Sequence, residues 1–214
     1  MIYFDIETGP LTAAEMFGRM PDFSAKANLK DEAKIKADIE DKRNKFFDKA
    51  ALDPFTGRVC AIGLLQHEGD KPELIHYNGK PDREHAILTK FWNIILKTDE
   101  SFCGFNIHNF DLPFLIKRSY AHNMIIPSNV FASGTIRRFH SRFIDLMDYW
   151  RLGVYNERIS LKNFAIHCGL KPKESNGQFF HTWIAGDEEE VKKAEEYLTY
   201  DCKLVKDIYD LVAI

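Results

Sequence analysis

The sequence predicts one α/β domain, a mixed sheet flanked by helices, with an inserted helical arm after the first strand. Three observations lead there. Apolar β-type runs come first and then alternate with helical segments, an order that suits a mixed sheet covered by helices. Hydrophobic residues make up 45% of the 214 residues and include 17 Phe, enough for a sizeable core in one large domain. Between the first two apolar runs lies a charged stretch, residues 13–50, rich in helix formers.

The elements follow in order. Ile2 to Ile6 reads as a buried strand, with Asp5 inside the apolar run and Glu7 two residues on. In the arm, Glu32–Lys36, Asp38–Lys42 and Asp41–Lys45 stand four apart with the acid first, the favourable order on a helix. Leu29, Ile35, Ile39, Phe46 and Phe47 offer it an apolar stripe. GRVCAIGLLQ and ELIHY read as strands, and the turn residues HEGDKP between them predict a hairpin. Asp82 is placed to cap a helix reaching Lys97, and SFCGF is a short strand. FDLPFLIKRSYAHN is a helix with Pro113 in its first turn, where a missing N–H costs little. RFIDLM is a further strand. SLKNFAIHCG is a helix capped by Ser160 and stopped by Gly169, and a long closing helix begins near Asp187 with Glu190 set for a capping box.

Composition narrows the function. The net charge of −3 excludes a generally basic nucleic-acid coat but allows a local basic groove. Four scattered cysteines, Cys60, Cys103, Cys168 and Cys202, have no CxxC spacing and fit a reducing compartment. No signal-peptide pattern and no membrane-length apolar run is present, so a cytoplasmic protein is expected.

Asp5 and Glu7 pose the chemical question. On a strand, residues i and i+2 project to one face, so two like charges sit side by side at the end of a buried strand and require compensation. Alone, Asp-x-Glu also suits an exposed edge strand. Asp111, between a strand and a helix, is also a good first-turn helix residue. Tyr197 and Asp201, four apart in YLTYD, share a helix face, as surface residues often do.

Taken together and in this order, FDIET, Asn106 with Phe110-Asp111, and YLTYD resemble the three exonuclease motifs of the DEDD superfamily. The similarity is to the proofreading exonuclease domain of family B DNA polymerases and its stand-alone relatives, and it spans Asp5 to Asp201. It implies a ribonuclease H-like fold whose first three strands are antiparallel. The Tyr subclass fits, because the position five before the last Asp, where the sister subclass has His, is Glu196. The arm at 13–50 departs from the polymerase domains, which need not have one. The chain ends soon after Asp201, so no attached polymerase domain is expected.

The resemblance implies a stand-alone 3′–5′ exonuclease acting on single-stranded DNA 3′ ends. Two metal ions about 3.5–4 Å apart can hold both the attacking and the leaving oxygen of a phosphodiester. Asp5, Glu7, Asp111 and Asp201 are hard oxygen ligands, so two Mg²⁺ or Mn²⁺ ions suit them and Zn²⁺ does not. Tyr197, with an ordinary pKa near 10, is a poor base and is expected to orient the attacking water. By resemblance, Thr8 and Asn106 touch the 3′-terminal nucleotide and Phe110 stacks near it, although helix packing also explains Phe110. His108 reads as a polar loop residue, and a strand end and helix start explain Asp145 and Asp148. Arg137, Arg138 and Arg142 alternate with Phe131, Phe139 and Phe143, a pattern that suits single strands or a solvated hairpin. Lys171 and Lys173 are read in the same two ways. RNA trimming and a catalytically inactive nucleic-acid-binding module of the same fold are the alternatives.

Overall fold

The computed structural model describes residues 1–132, 135–136, 138–154, 156–172 and 177–213. Its five-stranded sheet has the order β3-β2-β1-β4-β5. β1 (Ile2–Pro10), β2 (Gly57–Gln66) and β3 (Glu73–His76) form an antiparallel meander. β4 (Phe102–Gly104) and β5 (Phe143–Asp145) add in parallel on the other side of β1. The first strand is therefore central, and the expected mixed sheet with an antiparallel start is what forms.

Alternation along β1 sorts the two faces. Ile2, Phe4 and Ile6 enter one cluster with α3 (Glu84–Lys97) and α4 (Asp111–Ala121), including Leu88, Phe91 and Phe114. Tyr3 enters the opposite cluster with α8 (Glu188–Val212). Asp5 and Glu7 share the parity of Tyr3 and so project toward α8. That helix starts at Asp187, whose carboxylate accepts the Glu189 and Glu190 N–H groups in the expected capping box. Its buried face is Ala194, Leu198, Cys202, Val205 and Ile208, a helical 3–4 spacing. Gly63, paired with Asp5, permits the close approach: a Cβ there would lie 2.5 Å from Cys202 Sγ and 3.0 Å from Leu198 Cγ.

Three elements differ from expectation. The strand expected over RFIDLM stops at Asp145, because that carboxylate accepts the Met147 N–H at 2.9 Å and starts α5 (Leu146–Arg151). Asp82 lies in a 3₁₀ turn, Pro81–Arg83, and does not cap α3, whose N-cap is Arg83 without a side-chain hydrogen bond. Glu84 instead turns inward. Buried at 2% exposure, it accepts hydrogen bonds from Val59 N, Arg118 Nε and Nη2, and His122 Nε2, so the charge is paired and saturated.

The arm is the third. Helix occupies Ala13–Met16 (α1), capped by Thr12, and Glu32–Ala50 (α2), capped by Asp31. Residues 17–31, which contain Gly18 and Pro21, carry no regular helix. Part of this segment is fastened to α2. Phe23 packs edge-on to Phe46, Lys26 N–H donates to Asp38, and Lys42 Nζ donates to the Ser24 carbonyl. Ile35, Ile39 and Phe46 are half-buried, Phe47 is exposed, and in α2 Ala50 alone is fully buried. The short helices α6 (Leu161–His167), capped by Ser160, and α7 (Phe180–Trp183) complete the layer over α8. No helix among the described residues is long and apolar enough to cross a membrane.

Candidate active site

The site forms where the end of β1 meets the middle of α8. One ligand oxygen from each of Asp5, Glu7 and Asp201 lies within 4.8 Å of the others. Two come from alternate positions of a central strand and the third from a helix pressed against it by Gly63. Asp201 is 9% exposed. Three carboxylates so close in a partly desolvated place repel unless positive charge joins them, and all their donors are oxygens. That donor set fits a hard divalent cation.

A β-bulge shapes the same end of β1. Glu7 pairs with Ala61 and Thr8 with Val59, which leaves Cys60 as the extra residue on β2. Bulges of this kind re-aim side chains next to functional sites. Beyond it opens a cleft of about 490 Å³ lined by Ile6, Glu7, Thr8, Asp48, Ala51, Leu52, Phe110, Gly177, Gln178 and Tyr197.

Tyr197 stands one helical turn before Asp201, its ring edge-on to Phe180 and tilted against Trp183. Burial holds its phenol well above the ordinary range, reinforced by the carboxylates of Asp201, Glu7 and Asp5. The hydroxyl therefore stays protonated and can donate a hydrogen bond. Gly177 closes the space over it: a Cβ there would lie 2.5 Å from Tyr197 Oη.

Asp111 is placed differently. It is buried at the start of α4, accepts the Ile6 N–H at 3.3 Å, and is not in the three-carboxylate group. Burial raises its pKa, its own N–H and that of Ile6 oppose the rise, and the Asp145 charge adds to it. Phe110 does two things at once, packing against the core beside Phe114 and lining the cleft. Asn106 takes a left-handed turn (φ 60°) held by its N–H to Asp145 at 2.6 Å, and its side chain accepts from Asn109; it does not line the cleft.

A second group able to hold a cation is His108, Asp145 and Asp148. Its members have local work. Asp145 accepts the N–H groups of Asn106, His108 and Met147, so it clamps the loop before Asp111 to the end of β5. His108 bridges Asp148 and the Phe143 carbonyl.

The basic and aromatic stretch near residue 140 faces largely inward. Arg142 is buried, donates to the Ile95 carbonyl and sits over the rings of Phe102 and Phe143. Phe131 and Phe139 stack on each other and pack against the core. Arg138 and Lys171 are exposed, and Arg137 and Lys173 lie outside the described residues. Sequence reasoning missed Asp48, Ala51 and Leu52 at the end of the arm, and Gly177 and Gln178. No local motif marks them, since only the fold carries them to the cleft.

Comparison with known proteins agrees with this architecture. A search of curated protein sequences gives no match. The chain is similar in structure to a family B DNA polymerase from the hyperthermophilic archaeon Pyrobaculum calidifontis, with a TM-score of 0.61 and 15% identity. The match covers 98% of this chain and 24% of the polymerase, and at that identity it supports the fold. A family model described as a predicted 3′–5′ exonuclease related to the exonuclease domain of PolB matches residues 52–203. The match includes Asp111, Tyr197 and Asp201, while Asp5 and Glu7 come from the strand before it. With most of its length inside that model, the chain belongs to the family of predicted 3′–5′ exonucleases related to the PolB exonuclease domain.

Proposed function

We propose that this protein is a metal-dependent 3′–5′ exonuclease that hydrolyses phosphodiester bonds at single-stranded DNA 3′ ends in the cytoplasm. The observation that carries it is the meeting of Asp5, Glu7 and Asp201 in one group, with Glu7 and Tyr197 both lining the adjoining cleft. Asp5, Glu7, Asp111 and Asp201 would hold two Mg²⁺ or Mn²⁺ ions. When bound, such ions polarise the phosphate and lower the pKa of an attacking water.

The chain's own residues do the rest. Tyr197, kept protonated by burial and by its acidic neighbours, donates its hydroxyl proton to an oxygen beside the carboxylates and so orients the water. It is not the base. Thr8 at the bulge and Phe110 line the cleft that would take the terminal nucleotide, with Asn106 assigned to the same contact from the Asp145-clamped loop. Asp111 accepts the Ile6 N–H, between Asp5 and Glu7 on β1, and this tie to the strand supports its assignment as the fourth carboxylate. Four free cysteines, three of them buried, suit a reducing compartment.

The test is digestion of 5′-labelled DNA and RNA strands of one sequence, each single-stranded or paired, with Mg²⁺, Mn²⁺ or EDTA. Stepwise shortening of single-stranded DNA that stops in EDTA is expected. Internal fragments would refute exonuclease action, and faster shortening of RNA would reassign the substrate. Binding without hydrolysis in either metal would leave the inactive-module reading.

A further inference from the structure

Part of the cleft wall belongs to the arm. Asp48, Ala51 and Leu52 line the same cleft as Glu7 and Thr8, so the C-terminal end of α2 borders the place where a strand end would sit. The same end of the arm carries exposed apolar side chains. Leu52 is 61% exposed, Phe55 57% and Phe47 39%. In a folded domain such side chains are commonly solvated singly; here they cluster within nine residues. Two of them carry a cation. The Arg19 guanidinium lies 5.2 Å from the Phe55 ring centroid and donates to the Phe55 carbonyl at 2.7 Å. The Arg43 guanidinium lies 5.9 Å from the Phe47 ring centroid. Lys49 is exposed on the same turn of helix.

We propose that this end of the arm is a stacking platform for single-stranded nucleic acid, over which the strand behind the terminal nucleotide runs. The inference rests on the nuclease reading for its direction, because Leu52, between Phe47 and Phe55 in the chain, itself lines the cleft. The chemistry matches the occupant. Exposed rings stack on bases of any sequence, and guanidinium groups beside them pair with the phosphates between those bases. The chain is acidic overall and its cleft holds Glu7 and Asp48, so a strand needs cations outside the cleft, and neither Arg19 nor Arg43 lines it. The arm takes the part that the sequence pattern suggested for residues 131–143, where Arg142 is committed to the core instead. Because stacking needs exposed base faces, the platform favours unpaired strands over duplex.

The experiment measures binding and chemistry separately on the full chain. Binding is read by fluorescence anisotropy with a 5′-labelled 12-residue oligothymidylate and Mg²⁺, in an Asp201→Asn background so that the strand is not consumed. Chemistry is read in the active background with a mononucleotide aryl ester, which is too short to reach the platform. Phe55→Ala and Phe47→Ala are each expected to weaken oligonucleotide binding by about tenfold and to leave ester cleavage unchanged. If Phe55→Ala fails to fold, Arg19→Gln, which leaves the ring in place, is expected to weaken binding several-fold. Affinities within twofold of the parent for all three variants would overturn the platform. So would a parent dimer that Phe55→Ala dissociates, since the patch would then join two copies. If the active parent cleaves neither ester nor oligonucleotide with Mg²⁺ or Mn²⁺, the nuclease reading fails, and the binding comparison still decides the platform.

Discussion

α8 and α2 are both long, heavily charged and capped by an aspartate, yet they hold the molecule in different ways. α8 buries a continuous stripe against β1 and β2, and its side chains at 198, 202, 205 and 208 are nearly inaccessible. α2 fully buries Ala50 alone and meets the domain through the small cluster of Leu11, Met16 and Ala50. Local chemistry is similar in the two: Asp38–Lys42 and Asp41–Lys45 on α2 match Lys206–Asp210 on α8 in spacing and distance. The difference is the pattern of apolar residues, which decides whether a helix becomes part of the core. α8 can therefore fix Tyr197 and Asp201 in position, whereas α2 brings a border to the cleft with few residues buried in the core.

Substitutions can break that contrast, beginning with the largest effect. Asp201→Ala is expected to lower exonuclease activity by at least about a thousand-fold, with circular dichroism and melting cooperativity retained. Lys36→Ala, on an exposed part of α2, is expected to change neither. Comparable losses from both would erase the distinction between the two helices.

Next come the packing substitutions. Leu198→Ala removes a fully buried side chain from α8 and is expected to cost about 2–5 kcal/mol in urea denaturation. Ile39→Ala, at a half-buried position of α2, is expected to cost about 1 kcal/mol or less. Equal costs would mean that the arm is as integral to folding as α8.

Tyr197→Phe keeps the ring against Phe180 and Trp183 and removes the hydroxyl. A fall in kcat of about 10- to 100-fold is expected, with KM and stability little changed. A loss confined to KM would make the residue a binding group.

The smallest effect is on pH dependence. Burial raises the Asp111 carboxyl to about 7. Without metal, the folded state then holds a proton that the unfolded state has released, between the ordinary carboxylate range near 4 and about 7. The stability of metal-free protein is expected to fall as pH rises through that window, and Asp111→Asn to make the fall shallower. Asp145, also raised by burial, keeps some slope in the variant. Mg²⁺ at 100 times its Kd should add about 2.7 kcal/mol for each site. Melting temperatures with and without EDTA across pH 4–8 measure both, and identical slopes for parent and variant would remove Asp111 from the account.

Much of this was legible in the chain because it is local. The alternation of β1, the capping box of Asp187 and Glu190, and the four-residue spacing of Tyr197 and Asp201 are short-range patterns, and each appears where expected. In the arm the acid-first charge spacing marks α2, which forms at Glu32–Ala50, but does not show that residues 17–31, with Gly18 and Pro21, carry no regular helix. Arg142 was misread because a basic residue among aromatics looks the same in a core as in a groove, and only the Ile95 carbonyl and the ring of Phe102 tell the two apart. The cleft walls at Leu52 and Gly177 were invisible for a different reason. They reach Glu7 and Tyr197 through the packing of separate segments, which no periodicity records.

The central claim is that the acids of β1 and α8 form one cation site. Titration of the metal-free protein with Mn²⁺, followed by electron paramagnetic resonance, tests it most directly. Two bound ions close enough to couple magnetically are expected for the parent, with that coupling lost in both Asp5→Asn and Asp201→Asn. An unbound Mn²⁺ spectrum for the parent, or a bound one that neither substitution alters, would contradict it.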